Sequence, residues 1–517
     1  MSSSLSSTAT ADAVTPDLPQ GMTRLMITLS IMLATIMQAL DTTIANVALP
    51  NMQGSLSATQ DQVSWVLTSY IVAAAIMTPP TGFLAARMGR RRLFLVSVVG
   101  FTVASALCGL AQSLEQMVAF RLLQGVFGAG LVPLSQSVLL DTYPKEKHGS
   151  AMALWGIGVM VGPILGPTLG GWLTEYYDWR WVFFINIPIG IIAWMGLAAF
   201  VPESQRVRRR FDFHGFALLS LGIGALQMML DRGELLDWFS STEVVIETVL
   251  AVVALYLFVV HILTARKVGR QPFVDPGMFR DRNFAVGMVF IFVVGIILLA
   301  TMALLPPFLQ NLMGYPVLTS GMVLAPRGFG TMTAMFIVGR VIGRVDARLL
   351  IVLGLGLIAG SLWEMSLFTL EVPTSMIIST GIVQGMGLGF VFVPLSTMTF
   401  ATLDPRYRTE GTSFYSLMRN IGSSIGISVV TTRLSQGTQV NHAGLIEHTT
   451  PFAQAFQDGL PAVVNPHSAQ GLAVLNQLVT QQAAALAYLD DFRFMAFVTL
   501  AALPLLLLVR LPKTARR

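Results

Sequence analysis

Asp41 and Arg121 stand out because each is an ionisable side chain inside a long apolar stretch. At membrane depth such a group is costly and by default marks a pathway or a site. Asp41 lies nine residues before Pro50, which ends its stretch; at about 1.5 Å per residue it is ~14 Å deep. Arg121 is placed six residues inside the fourth stretch, at ~9 Å by the same rise. Opposite charges at comparable depth can pair or share a polar cavity. Protonating Asp41 would release that pairing, which is the two-state element a proton-driven machine needs. A static ion pair, or an aspartate capping at the interface, is the other reading of these residues. Glu364, Arg327 and Arg419 are the remaining charges within apolar stretches, where each either touches substrate or holds structure. Glu364 and Arg419, with Asn46 and Gln124, are the expected substrate contacts.

A second set of residues has conformational chemistry. Gly158, Gly162, Gly166 and Gly170 recur every fourth residue, a bare helix ridge that lets a neighbouring backbone approach closely. Pro163 and Pro167 stand beside it and locally kink or soften a helix. A hinge between two halves and ordinary tight packing both fit this pattern. Pro79-Pro80 predicts a break in the second apolar stretch. After it runs a basic turn with Gly82, Arg87, Gly89 and Arg90 to Arg92. Its arginines would grip helix ends or carboxylates, or act only as a topology signal. Cys108 is the single cysteine and reads as a packing residue. Without a Cys pair or a His/Cys cluster, no metal and no cofactor are expected. No GxxxxGK[ST] loop and no nucleophile cluster occurs, so neither ATP drive nor an enzyme is expected.

The elements that must position these residues are membrane helices. Of 517 residues, 54% are hydrophobic and 11% charged, against roughly 25% charged in soluble domains. Mean hydropathy is +0.69. About 20 apolar residues cross a bilayer core, which places spans near 24–46, 64–85, 93–112, 117–140, 150–173, 182–201, 213–231 and 244–264. Six more follow near 284–310, 317–338, 349–370, 374–401, 411–433 and 492–510. With the N-terminus cytoplasmic, 25 of the 32 Lys and Arg fall on inner segments or tails, as the positive-inside rule requires. The formal charge of +5 is therefore a topology signal and does not imply nucleic acid. Both termini are expected in the cytoplasm. The Ser/Thr-rich residues 1–23 lack the basic start and short apolar core of a signal peptide and read as a disordered tail.

An internal repeat orders the spans. QGVFGAGLVPLS from Gln124 to Ser135 recurs as QGMGLGFVFVPLS from Gln384 to Ser396. Each copy falls in the fourth span of a six-helix block when the pair near 213–264 is set aside. The expected plan is a bundle over 24–201, two inserted helices and their loops over 202–283, and a second bundle over 284–517. Duplicated halves with substrate at the midplane characterise many secondary transporters, which work by alternating access.

These motifs together resemble the major facilitator superfamily, and within it the fourteen-span drug:proton antiporters. LDTTIANVALP (Leu40–Pro50) resembles that group's first-helix motif, with Asp41 in the acidic position. The basic turn resembles the superfamily's inner-loop motif, except that Ala86 stands where an acidic residue is usual. RLLQG (Arg121–Gly125) resembles the motif with the proton-coupling arginine. GIGVMVGPILGPTLGG (Gly156–Gly171) resembles the antiporter motif, and Leu226–Ser241 resembles the EmrB-like subgroup. The resemblance implies an inner-membrane, proton-coupled exporter of hydrophobic drugs and toxic compounds. It further implies a periplasmic adaptor of the EmrA type and a TolC-type outer-membrane channel as partners. A polar outer loop over 434–490, its last part (468–489) amphipathic, is long enough to be functional and is expected to meet the adaptor. Export of one natural metabolite, such as a siderophore or fatty acid, is the alternative; a receptor that transports nothing is a third.

Overall fold

A bilayer offers no water to the backbone, so a spanning chain must satisfy its own amides, and a helix does this locally. The computed structural model describes residues 19–204, 206, 211–267, 272–448 and 468–508, and among them there is no strand. The first block contains α1 (Gly21–Ser55), α2 (Gln60–Met77), α3 (Pro80–Met88), α4 (Arg90–Leu110), α5 (Leu114–Gly128) and α6 (Leu131–Thr142). It closes with α7 (His148–Tyr176), the short α8 (Trp181–Phe184) and α9 (Asn186–Phe200). The inserted pair is α10 (Phe213–Arg232) and α11 (Thr242–Lys267). The last block contains α12 (Arg282–Pro307), α13 (Val317–Val341), α14 (Ala347–Met365), α15 (Thr374–Ala401), α16 (Arg408–His448) and α17 (Ala469–Ala501).

Among the described residues, twelve helical runs are long and apolar enough to cross a membrane, and the bent pair α2–α3 makes a thirteenth. The fourteenth expected span falls on α16, which is 41 residues long but too rich in Ser, Thr and Gly to pass on composition. Residues 1–18 of the expected tail, Arg208 to Arg210, Arg270 and the basic C-terminus beyond 508 lie outside the described residues, as do 449–467. Residues 21–23, read as tail, begin α1.

The break at Pro79-Pro80 is present: α2 and α3 meet at 58°. Pro80 opens α3 without an N–H to give, and the Thr81 hydroxyl donates to Met77 O at 3.1 Å. Gly89 alone then joins α3 to α4 with φ +91°, a conformation that disfavours any Cβ.

The segment 434–490 is not a loop in its described parts. α16 continues to His448, and α17 begins at Ala469, far ahead of the expected span. The two run side by side: Asn441 Nδ2 donates to Ala483 O at 3.3 Å, and His442 Nε2 pairs with Asn476 Oδ1 at 3.1 Å. The amphipathic stretch 468–489 is the first part of α17. Its polar residues had read as loop because a helical hairpin wet on one side carries much the same composition.

The glycine ridge of α7 lies against α1. A Cβ at Gly158 would stand 3.0 Å from Met32, and one at Gly170 2.8 Å from Ile44. Between them, Gly162 and Gly166 press on Ala39 and Thr43. The Thr43 hydroxyl donates to Gly162 O at 3.0 Å. The ridge therefore packs inside the first block. Another face of α7 meets α13 of the last block, where Ser150 donates to Gly339 O at 2.6 Å and Pro167 lies beside Gly321.

Candidate functional site

α1 carries Asp41 into the first block and α5 brings Arg121 to it. Arg121 Nη1 donates to Asp41 Oδ2 at 2.8 Å, and the two side chains are 1% and 0% exposed. The other carboxylate oxygen, Oδ1, accepts from Gln124 Nε2 at 2.8 Å and from Asn186 Nδ2 at 2.9 Å. Gln124 Oε1 also accepts from Arg121 Nη1 at 2.7 Å. Asn186, the first residue of α9, is steadied by Ser105 Oγ at 3.0 Å, which donates onward to Phe183 O at 2.9 Å. Arg121 Nε donates to Val66 O at 3.0 Å, and its guanidinium lies 4.4 Å from the Tyr70 ring centroid.

A buried charge pair in so apolar a setting persists only when its remaining lone pairs and protons are satisfied. Here they are. Three donors converge on Asp41, so a proton on its carboxyl removes the negative charge that they oppose and weakens all three contacts. Arg121 and Tyr70 are also part of the wall of a large cavity, and Gln38 Nε2 donates to Tyr70 OH at 3.2 Å from the same wall. The carboxylate thus sits one residue behind the cavity surface.

The cavity, about 710 Å³, lies between α1, α2 and α7 of the first block and α12, α13 and α16 of the last. That volume suits a drug-sized ligand. It reaches Pro50 and Val317 at the end of the bundle opposite the basic turn. At the basic-turn end the blocks interlock. Asp141 of α6 pairs with Arg90 from the first block and Arg408 from the last. Ser137 Oγ and Thr409 Oγ1 share a hydrogen bond of 2.8 Å, and Thr412 Oγ1 donates to Pro133 O at 3.0 Å. A Cβ on Gly82 would stand 2.7 Å from Glu410 Cα. The lining thus extends to the Pro50 end, while the Arg90 end is held by charge and close packing.

The sequence-derived residues distribute unevenly. Asp41, Arg121 and Gln124 form one network; Gln124 stands behind the wall, whereas Asn46 and Arg419 line the cavity. Glu364 does not join them. α14 ends at Met365, with Ser366 Oγ donating back to Trp363 O at 2.7 Å, so Glu364 sits in the last turn. The expected span had run to 370, which placed it too deep. Arg90 is in the ion cluster; Arg87 is exposed at the end of α3. Pro163 and Pro167 line the cavity while the ridge glycines face α1. Sequence reasoning missed Asn186, Ser105, Tyr70 and Asp141. Asn186 had a signal, an amide in an otherwise apolar span, but uncharged polar residues were not weighed as charges were. No group of three or more His, Cys, Asp or Glu able to hold a metal occurs among the described residues.

Two helical blocks, a large central cavity between them and a buried ion pair beside it define a polytopic membrane protein of the secondary-transporter class. The chain belongs to the major facilitator superfamily, whose family model matches residues 31–427. It is 37% identical to the fatty acid resistance protein FarB of Neisseria gonorrhoeae over 94% of this chain and 96% of that protein. With the multidrug export protein EmrB of Escherichia coli (strain K12) it shares 40% identity over 84% of each. Among solved structures, the human organic anion transporter MFSD10 superposes with a TM-score of 0.60 at 14% identity, covering 94% of this chain and 100% of that one. A bacterial homolog of the human lysosomal transporter Spinster gives 0.55 at 17%, covering 96% and 100%. These two likenesses concern the fold.

Proposed function

We propose that the protein is a proton-coupled antiporter that exports hydrophobic toxic compounds across a bacterial inner membrane, with both termini cytoplasmic. The observation that carries this reading is the Asp41–Arg121 pair, buried, held by Gln124 and Asn186 and with its carboxylate one side chain away from a ligand-sized cavity. A proton arriving from the Pro50 end would neutralise Asp41 and free Arg121 to rearrange on the cavity wall. Exchange of that proton for substrate would accompany closure of the Pro50 end and opening of the Arg90 end. In this reading 24–201 and 284–517 are the two moving bundles and 202–283 the insertion. The relatives named for multidrug export and for fatty acid resistance support export as the direction. The α16–α17 hairpin is the surface we assign to a periplasmic adaptor, itself joined to an outer-membrane channel.

The test is efflux from cells stripped of their own pumps and supplied with adaptor and channel, using cationic, neutral and anionic hydrophobic dyes. Uncoupler-sensitive extrusion of at least one dye, lost in Asp41→Asn at normal membrane abundance, is the expected result. Extrusion indifferent to both the uncoupler and the substitution would end the proton-antiport reading.

A further inference from the structure

The inserted pair reaches the central cavity through one side chain. Gln227 of α10, 4% exposed, is the only α10 residue among the described residues that line the cavity. It stands in the wall between α2, which presents Leu67 and Tyr70, and α16, which presents Asn420 and Ser424. Its amide holds α16 with both polar atoms. Nε2 donates to Ser424 Oγ at 2.9 Å, and Oε1 accepts from the same hydroxyl at 3.1 Å. Nearer the Pro50 end, Trp238 of the α10–α11 link donates from Nε1 to Thr432 Oγ1 at 3.0 Å.

The grip of α10 on the first block is broader. Phe211, just ahead of α10, packs on Phe83 of α3 with ring centroids 5.0 Å apart. At mid-height a Cβ on Gly224 would stand 3.2 Å from Ile76 Cδ1 of α2. Toward the Pro50 end the Arg232 guanidinium lies 5.0 Å from the Trp65 ring centroid, and the Thr68 hydroxyl donates to Asp231. Contacts at three levels thus fix α10 to α2 and α3, whereas neutral hydrogen bonds join it to α16. Such bonds contribute little net, because each partner can be paired again once separated. Ser424 Oγ lies 3.2 Å from Asn420 O, a second acceptor within its own helix, and Gln227 faces the cavity. α16 itself meets the first block directly at the Arg90 end, where Arg408 pairs with Asp141 and Thr412 with Pro133 O. Alternating access narrows the Pro50 end by drawing the blocks together there. With α10 seated between α2 and α16, that closure must shear α10 along one of them, and the weaker seam is the one with α16.

We propose that Gln227 is a positioning residue of the transport cycle. In this assignment α10 travels with the first block as part of the cavity wall. The Gln227–Ser424 bond, backed by Trp238–Thr432, latches α10 to α16 while the Arg90 end is shut and releases when that end opens. The proposal rests on the alternating-access reading given above, but the latch can be measured by cross-linking without transport.

The experiment uses the full chain, in nanodiscs for cross-linking and in the efflux cells for transport, with the buried Cys108 left in place. Two double variants are compared, Gln227→Cys with Ser424→Cys and Thr68→Cys with Asp231→Cys, each joined by a short, reducible thiol cross-linker. Linking α10 to α16 should stop uncoupler-sensitive dye extrusion until reductant is added, whereas linking α10 to α2 should leave it running. In nanodiscs, Asp141→Asn, which loosens the Arg90 end, should slow cross-linking of the 227–424 pair about two- to tenfold, the range of a neutral hydrogen bond. The 68–231 pair should not respond. Without any cross-linker, Gln227→Leu and Ser424→Ala should each speed thiol labelling of Ser137→Cys by a factor in the same range, and the two together no further. Extrusion that survives the 227–424 link, or an equal response of the two pairs to Asp141→Asn, overturns the proposal. A block by the 68–231 link would attach α10 to the last block and also overturn it. Should wild type show no uncoupler-sensitive extrusion, the antiport reading falls while the cross-linking rates still decide the latch.

Discussion

Asp41 receives hydrogen bonds from Arg121, Gln124 and Asn186 and is completely buried. Each partner removes a different part of the cost of keeping a carboxylate there, so each should fail differently. Arg121→Ala leaves an unmatched buried anion, a loss of about 3–5 kcal/mol; we expect a lower Tm for the purified protein and no coupled efflux. Asn186→Ala keeps the ion pair and removes one donor, about 1–3 kcal/mol. That variant should fold, still extrude, and do so more slowly. Identical efflux in the two variants at equal membrane abundance would mean the network is only structural. The ion pair was legible in the sequence because charges interrupt apolar runs so rarely. Its amide partner was not, since Asn186 sits among Ile and Pro with nothing local to announce that α4 would bring Ser105 against it. Glu364 misled for the converse reason: a charge near the edge of an apolar run looks buried until the helix end is located.

At the scale of elements, α7 decides where α1 lies. Gly162 faces the Ala39 carbonyl, two residues from Asp41, while the neighbouring Gly171 has nothing within 4 Å of its would-be Cβ. Backbone cannot yield as a side-chain tip can, so Gly162→Leu must push α1 away, whereas Gly171→Leu adds bulk in open space. Overpacking of this kind costs about 1–3 kcal/mol or more. Thermal melts should show Gly162→Leu clearly destabilised and Gly171→Leu near wild type, and efflux should follow the same order. The ridge itself was plain in the four-residue spacing; which helix it faces was not, because spacing defines a face and says nothing of the neighbour. The interlock at the other end makes a second expectation. Asp141 holds Arg90 and Arg408 from the two blocks, and Asp141→Asn leaves those arginines facing each other. The Arg90 end should then open more often, seen as faster thiol labelling of Ser137→Cys in the Asp141→Asn background than in wild type.

For the whole molecule, hydropathy carried most of the helical architecture, since a membrane helix must be apolar over its own length whatever surrounds it. The α16–α17 hairpin escaped that logic. It stands beyond the apolar spans, where a helix with one wet face has the composition of a polar loop, and only its pairing shows it to be built. From the expected span end at 433 to His448, α16 extends for fifteen residues or about 22 Å, too far to serve the cavity. Its base is anchored: Arg433 pairs with Asp491 at 3.1 Å, Gln481 donates to Leu312 O at 2.9 Å, and Tyr488 packs on Phe308 with ring centroids 5.5 Å apart. An excision that respects this base should therefore separate docking from folding. Replacing 440–478 with a short Gly/Ser linker spares all three anchors. We expect the Tm of the purified protein to change little, while co-purification with the adaptor and protection of cells against hydrophobic toxins are both lost. An adaptor complex recovered at wild-type yield from the excised protein would remove the hairpin from the assembly and leave the transport core as the docking surface.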